Sequence, residues 1–298
     1  MARFAALRAF LTEAAEDATI YAPRLESVPA LLMNLRPARP VKKDEKMERS
    51  SGILMHISSL PNRFGIGALG REAYDYVDFL ARAGQRYWQL LPMGPTGYGD
   101  SPYQLFSSFA GNPYFIDIGL LIEEGLLTED EARPHLFPAA GGVDYGGLHA
   151  RRFGLLRLAF RRGRHREEAE QADFAKENAA WLADYALFMA LKAHFGMAAF
   201  TEWPADIRLR EAGALDRYRD LLAEEAAFYA YTQYLFFRQW RAFRGYAQAR
   251  GIRLIGDLPI YVALDSADVW ARPDIFQLGE DRRPLWVSGV PPDYFTAD

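Results

Sequence analysis

The sequence contains no cysteine in its 298 residues, which excludes disulfide bonds and favours a reducing compartment, so we expect the cytoplasm. It also lacks any uninterrupted apolar run of about 18 residues, the length that a membrane-spanning helix needs. Near the start of the chain, Glu13, Glu16 and Asp17 interrupt the apolar segment that a signal peptide requires. We therefore predict no membrane partner.

A strong charge imbalance is absent too, since 35 basic and 39 acidic residues give a net charge of −4. A polyanion such as nucleic acid gains little overall attraction from this balance. Seven arginines lie between residues 151 and 166, but Glu167, Glu168 and Glu170 follow directly. This pattern favours a solvated helix face over a polyanion site, and we expect no nucleic-acid partner.

Histidine is scarce, with five in the chain, and no two stand four residues apart as in common helical metal sites. His56 fits a core histidine within a strand. Gly65–Gly70 matches the G-x-G-x-x-G pattern, but seven residues separate it from the preceding strand, and no acidic residue ends the next strand. We interpret these glycines as turn residues and expect no metal and no cofactor.

Hydrophobic residues, in contrast, make up half of the sequence, enough for a sizeable core. The pattern predicts a strand at Gly52–Ile57, a helix over Arg71–Ala83 that ends at Gly84, and a strand at Tyr87–Pro92. Strand, helix and strand in this order indicate a βαβ unit with a parallel sheet, and so an α/β fold. A third strand is predicted at Ile252–Val262.

The chain between the second and third strands is mainly helical in its periodicity. Tyr114–Ile118 is predicted to be a short extended run, and helices are predicted over residues 122–130, 151–169, 175–195 and 215–248. These helices are too many for one crossover between strands. They indicate a helical insertion.

The loop Gly94–Gln104, after the second strand, holds too many glycines and prolines for a regular element. It carries the polar and aromatic side chains of Tyr98, Asp100, Ser101 and Tyr103. Such a loop at the carboxyl end of a parallel strand is typical of an active site. The two tyrosines could also be core residues with bonded hydroxyls, but the Gly/Pro setting favours an exposed platform on which a sugar ring can stack.

Asp257 lies near the carboxyl end of the predicted third strand, where a parallel α/β fold places its chemistry. A carboxylate in that position must be paired or hydrogen-bonded, because burying a bare charge is costly. Capping of a nearby backbone N–H is the structural alternative to substrate binding.

Several motifs together resemble glycoside hydrolase family 77, the 4-α-glucanotransferases or amylomaltases. The matching segments are residues 49–54, 58–61, 88–92, 94–104, 109–114, 256–262, 265–270 and 289–295. The resemblance spans residues 47–298 and implies a TIM (β/α)8 barrel with a helical insertion. It implies transfer of α-1,4-glucan segments between maltooligosaccharides by a retaining double displacement, in which one carboxylate is the nucleophile and another carboxyl group the acid and base.

The resemblance also implies roles for individual residues. Asp257 corresponds to an aspartate that binds the glucose unit at the cleavage site, and Tyr103 to a tyrosine that packs on it. The other residues implied to bind substrate are Tyr98, Asp100 and Ser101 in the same loop, and Asp293, Tyr294 and Phe295 in a mobile loop on the acceptor side.

The family's nucleophile lies in an Arg-Ile-Asp-His segment, its acid/base in Ala-Glu-Asp-Leu-Gly and a further aspartate in His-Asp, and none of these occurs here. Only three barrel strands can be counted. We therefore expect a barrel truncated after about three strands, with the catalytic carboxylates beyond Asp298 and no activity in this chain. The alternatives are a non-catalytic α-glucan-binding module and a fragment of an α-glucan hydrolase.

Four segments follow from these assignments. Residues 1–46 are predicted to be an N-terminal extension, disordered or a short helix. Residues 47–114 hold the first two barrel strands and the substrate loop, residues 115–235 the helical insertion, and residues 236–298 the third strand and the acceptor-side loop.

Overall fold

Three short parallel strands organise the fold: β1 (Gly52–Leu54), β2 (Tyr87–Gln89) and β3 (Arg253–Ile255), in the order β1-β2-β3. The computed structural model describes residues 49–138 and 142–286, apart from the side chain of Tyr98. The expectations for residues 1–46 and for residues 293–295 lie outside this range. In the sheet, Trp88 pairs with Ile53 on one side and Leu254 on the other.

The predicted βαβ unit is confirmed. Helix α1 (Arg71–Arg82) connects β1 to β2 and buries Ala73, Val77 and Leu80. Gly84 follows with a φ of +71°, a left-handed conformation that only glycine adopts at little cost.

All three strands are shorter than predicted. After β1 the backbone turns into a 3₁₀ helix, Ile57–Ser59, so His56 lies beyond the strand. After β2, Leu90 still donates its N–H to Ile255 O at 2.9 Å, but Pro92 has no N–H with which to continue the ladder.

The chain between β2 and β3 is mainly helical, as predicted, but it forms a series of helices rather than the four expected. They are α2 (Ile118–Glu123), α3 (Glu129–Ala132), α4 (Tyr145–Gly163), α5 (Glu168–Glu177), α6 (Leu182–His194), α7 (Ala205–Arg208), α8 (Ala212–Leu221) and α9 (Ala223–Ala249). After β3 comes α10 (Ala267–Ala271).

The predicted extended run Tyr114–Ile118 is wrong. Pro113–Phe115 forms a 3₁₀ helix, which Asn112 caps by accepting the Tyr114 N–H at 2.9 Å. Asp117 then caps α2 by accepting the Leu120 N–H at 2.9 Å. Side-chain caps outweigh the strand propensity of this aromatic segment.

Helix α9, with 27 residues, is hydrogen-bonded to the segment that follows the loop after β2. The buried Gln233 accepts the Gly111 N–H at 2.7 Å and donates to Gly111 O at 2.9 Å. Gln239 binds both backbone groups of Asp117 in the same way, at 2.7 and 3.2 Å. Each amide satisfies a buried backbone donor and acceptor, which fixes this segment against the helix.

The arginines between residues 151 and 166 do not form the predicted solvated face. Arg152 is buried and donates to Ile116 O at 2.7 Å and Phe64 O at 3.3 Å, and burial lowers its pKa to about 10. Others form ion pairs within the protein, such as Arg157–Glu225 and Arg162–Glu131, both at 2.5 Å. Most of these arginines therefore bond other segments of the protein, while Arg161 and Arg166 stay exposed.

The two faces of the sheet differ in burial. Trp88 is fully buried on the helix side, and its indole N–H donates to Met55 O at 2.7 Å. On the opposite face, Leu54 and Ile255 are 60% and 42% exposed. Within the described residues, no other strand pairs with the outer edges of β1 and β3. As far as the structure describes the chain, one face and both edges of the sheet are therefore open.

In the part of the chain that the structure describes, no helix is both long enough and apolar enough to cross a membrane. The same residues contain no group of three or more His, Cys, Asp or Glu side chains arranged to hold a metal ion.

We predict that Trp88→Ala lowers the free energy of unfolding by about 3–5 kcal/mol, because it leaves a cavity under the sheet. Leu54→Ala, on the open face of the neighbouring strand, should change it by less than about 0.5 kcal/mol. Urea denaturation monitored by far-UV circular dichroism measures both values. A similar loss for both variants would contradict the assignment of one covered and one open face.

Candidate functional site

The loops after β2 and β3 meet at the carboxyl edge of the sheet. The Tyr103 hydroxyl donates a hydrogen bond to Asp257 Oδ2 at 2.8 Å, although the two residues are 154 positions apart in the sequence. Adjacent parallel strands present their carboxyl ends at the same edge, which brings these loops together. Tyr103 and Asp257 therefore lie together at the carboxyl ends of adjacent strands, where the sequence places each of them.

Both members of this pair are accessible. Tyr103 is 43% exposed, which agrees with the predicted aromatic platform. Asp257 is half-buried. It was expected near the end of a buried strand, but β3 ends two residues earlier, so Asp257 lies in the loop beyond the strand. The hydrogen bond to Asp257 raises the pKa of the Tyr103 phenol above its ordinary value. At neutral pH the phenol is thus a hydrogen-bond donor.

The loop after β2 is a small closed hairpin. The Gly97 N–H donates to Gln104 O at 2.6 Å, and the Phe106 N–H donates to Pro95 O at 2.9 Å. Ser101 stands at the tip, where its hydroxyl accepts the Tyr103 N–H at 3.3 Å. These bonds give the platform a fixed backbone.

Asp100 has a different environment from Tyr103. It adopts a φ of +53° directly after Gly99, which has a φ of +68°. Its side chain lines a cavity of about 340 Å³ that neither Tyr103 nor Asp257 lines. Burial raises the pKa of Asp100, and the nearby His149 opposes that shift. The sequence predicts that Asp100 and Tyr103 belong to one site, whereas in the structure Asp100 faces the cavity and Tyr103 does not.

Sequence reasoning missed the aromatic wall of this cavity. Tyr145 and His149 lie one turn apart on α4 and face it together with Tyr114 and Tyr229. Burial raises the pKa of Tyr229 to about 12. The i, i+4 spacing of Tyr145 and His149 was the available signal, since residues four apart share one helix face.

The loop after β2 is also bonded to the chain after β3. The Ala267 N–H donates to Phe106 O at 2.8 Å, and the Ser108 N–H donates to Asp268 Oδ2 at 2.7 Å. Burial raises the pKa of Asp268. Together with the Tyr103–Asp257 bond, these contacts join the two loops at three points.

His56, just after β1, is the titratable residue at the end of the first strand. Burial lowers its pKa to about 4, so the ring is neutral at pH 7. Its ring packs edge-on against Phe115, with 5.2 Å between centroids. Its Nδ1 finds no hydrogen-bond partner among the described residues. His56 is thus a half-buried histidine that packs against the core, just beyond the strand in which it was expected.

The backbone of Tyr98 lies in a 3₁₀ helix, Tyr98–Asp100, while its side chain and residues 293–295 lie outside the described part. Of the predicted site residues, the structure therefore brings Tyr103, Ser101 and Asp257 to one edge of the sheet and places Asp100 on the cavity.

The fold and this site define an α/β protein that presents an aromatic ring and a carboxylate at the carboxyl ends of adjacent parallel strands. A family model described as 4-alpha-glucanotransferase, glycoside hydrolase family 77, matches residues 55–298. The chain belongs to this family.

Its relatives agree with this assignment. The chain is 52% identical over 256 residues to a 4-alpha-glucanotransferase of Thermus thermophilus, and the match covers 84% of this chain and 50% of the relative. It is 46% identical over 244 residues to the 4-alpha-glucanotransferase of Clostridium butyricum, covering 81% of this chain and 50% of that relative. The chain thus spans about half the length of the curated relatives it matches.

Solved structures are similar as well. An amylomaltase from Streptococcus agalactiae in complex with acarbose superimposes with a TM-score of 0.81 at 45% identity, covering 84% of this chain and 51% of that one. An amylomaltase from Corynebacterium glutamicum, with a TM-score of 0.60 at 20% identity, shares the fold; that match covers 78% of this chain and 33% of that one.

We predict that Asp257→Asn lowers the pKa of the Tyr103 phenol, because it removes the negative charge that holds the proton. Titration of ¹³Cζ-labelled tyrosine by NMR measures this, with Tyr103→Phe to assign the signal. Tyr246 is the matched control, since it donates to Asp78 Oδ2 at 2.8 Å and its pKa is raised by that bond. Its titration should move in Asp78→Asn but not in Asp257→Asn. An unchanged Tyr103 titration would show that the bond does not form in solution.

Proposed function

We propose that the whole protein transfers α-1,4-glucan segments between maltooligosaccharides, and that this chain supplies the loops that bind the glucan. The observation that carries the proposal is the hydrogen bond of 2.8 Å between Tyr103 and Asp257 at the carboxyl ends of β2 and β3. Membership of the 4-alpha-glucanotransferase family and the names of the relatives support it.

In this proposal, Tyr103 and Asp257 bind one glucose unit. The partly exposed ring of Tyr103 packs against the apolar face of the sugar. The Tyr103 phenol donates to Oδ2 of Asp257. No described residue bonds the other carboxylate oxygen, Oδ1, which can accept a hydrogen bond from a sugar hydroxyl. Charge-assisted hydrogen bonds of this kind fix the orientation of the sugar ring.

The other predicted residues extend the same site. Tyr98 and Ser101 contribute further contacts from the loop that holds Tyr103, and Asp100 contributes its contact from the cavity that it lines. The family resemblance also assigns glucan contacts on the acceptor side to Asp293, Tyr294 and Phe295, which lie outside the described residues.

The chemical steps need two further carboxyl groups. A nucleophile forms the glycosyl-enzyme and loses it to an acceptor hydroxyl, while an acid/base protonates the leaving oxygen and then deprotonates the acceptor. The family segments that supply them do not occur in this sequence. We propose that the chain alone is inactive, which also leaves a non-catalytic α-glucan-binding module as the second candidate.

We further propose that β1, β2 and β3 belong to a (β/α)8 barrel in the whole protein and that residues 115–235 are an insertion on it. The sequential strand order and the open face with Leu54 and Ile255 support this, because the inner face of a barrel is covered only when all strands are present. The absence of cysteine supports a cytoplasmic location.

We predict that the chain binds maltoheptaose and that Tyr103→Ala and Asp257→Ala each weaken binding by about tenfold or more, equivalent to about 1.4 kcal/mol. Isothermal titration calorimetry measures the dissociation constants. Tyr246→Ala is the control, since Tyr246 is likewise a tyrosine bonded to an aspartate, Asp78, but on the surface of α1 and α9. Equal losses in all three variants, or none, would reject the proposed site.

We also predict that the purified chain converts no maltotriose into glucose and longer maltooligosaccharides. Chromatography of the products after prolonged incubation tests this. Glucose released in proportion to the amount of chain would place a nucleophile within these 298 residues.

A further inference from the structure

Lys192 is a buried cation near the end of α6, with its side chain only 2% exposed. Its ammonium donates to Met197 O at 2.8 Å, Ala198 O at 2.9 Å and Asp265 Oδ2 at 2.6 Å. These three acceptors match the three N–H donors of an ammonium group. Met197 adopts a φ of +65°, a strained conformation for a non-glycine residue.

Asp265 is the far anchor of the segment that carries Asp257. Its Oδ2 accepts from Lys192, and its Oδ1 accepts the Phe200 N–H at 3.0 Å. Between these two aspartates the chain is largely solvent-exposed, with Leu258 and Ile260 among the exposed side chains. The exposed segment is thus held at its far end, by the ion pair of Asp265 and by the buried residues Ser266 and Ala267 that follow it.

Lys192 also reaches the loop after β2. Its ammonium lies 5.1 Å from the centroid of the Phe106 ring, within cation–π distance. Phe106 closes the hairpin that presents Tyr103, through its N–H to Pro95 O at 2.9 Å, and its carbonyl accepts the Ala267 N–H at 2.8 Å. One buried ammonium therefore contacts both loops of the site.

We propose that Lys192 is a positioning residue that sets the distance between Tyr103 and Asp257 by holding Phe106 and Asp265 together. The inference rests on the proposed glucan site. An exposed hydrogen bond such as Tyr103–Asp257 contributes little by itself and cannot order two loops. A buried charge, in contrast, keeps its partners in place because losing one of them leaves an uncompensated charge in the interior.

The test is Lys192→Met, which keeps the aliphatic length and removes the charge. Hydrogen exchange with mass spectrometry should show exchange about tenfold faster or more in peptides covering residues 95–108 and 264–272, with α9 unchanged. Arg152→Met is the matched control. It removes another buried cation, one whose hydrogen bonds within the described residues go to Ile116 O and Phe64 O. Its effect should stay around those residues.

The second readout is glucan affinity. Lys192→Met should weaken maltoheptaose binding by about tenfold, and by far less in the Tyr103→Phe background, because the lysine acts through that pair. If Lys192→Met does not fold, Asp265→Asn keeps the shape of the anchor and weakens the same link, and it should give the same pattern in both measurements.

The possible failures can be distinguished. A wild-type chain that binds no maltoheptaose rejects the proposed function, while loop exchange still tests the role of Lys192. Unchanged exchange in both loops overturns the inference. So does a uniform rise across all peptides, which indicates a purely structural ion pair, or an unchanged glucan affinity in Lys192→Met when Tyr103→Ala has lost it.

Discussion

The parallel register of the sheet is the constraint on which the rest of the structure depends. Trp88 lies at the centre of both pairings, opposite Ile53 and Leu254. Because the strands run in the same direction, their carboxyl ends meet at one edge. Residues as distant in sequence as Tyr103 and Asp257 then become neighbours without any direct sequence relation. Helices between β2 and β3 hold the loops at this edge through Gln233, which bonds Gly111, and Lys192, which bonds Asp265.

Much of this arrangement could be predicted from the sequence. The spacing of Val77 and Leu80 and the position of Gly84 define α1, and the apolar runs on either side define a parallel pair. Once Tyr103 and Asp257 are assigned to the ends of parallel strands, topology alone predicts that they meet. The prediction succeeds because it rests on periodicity and strand direction, which are local in sequence.

The failures have a common cause: they depend on tertiary partners that periodicity does not report. The aromatic segment at Tyr114 becomes a 3₁₀ helix because Asn112 caps it. The sequence suggests that Arg152 is a surface cation, yet it is buried and donates hydrogen bonds to two carbonyl groups from distant segments. The cavity beside Asp100 is built from several helices, so no single stretch of sequence reveals it. The ion pair between Lys192 and Asp265 also joins distant segments, so periodicity does not predict it.

The open face of the sheet has a practical consequence for biophysical work on this chain. Leu54 and Ile255 present apolar surface in the fully folded state, next to an ordered core around Trp88. Dyes such as ANS, whose fluorescence is commonly taken as a sign of a molten globule, bind apolar surface of this kind. Dye fluorescence from this chain would therefore report a native feature, and near-UV circular dichroism is the better measure of its tertiary packing.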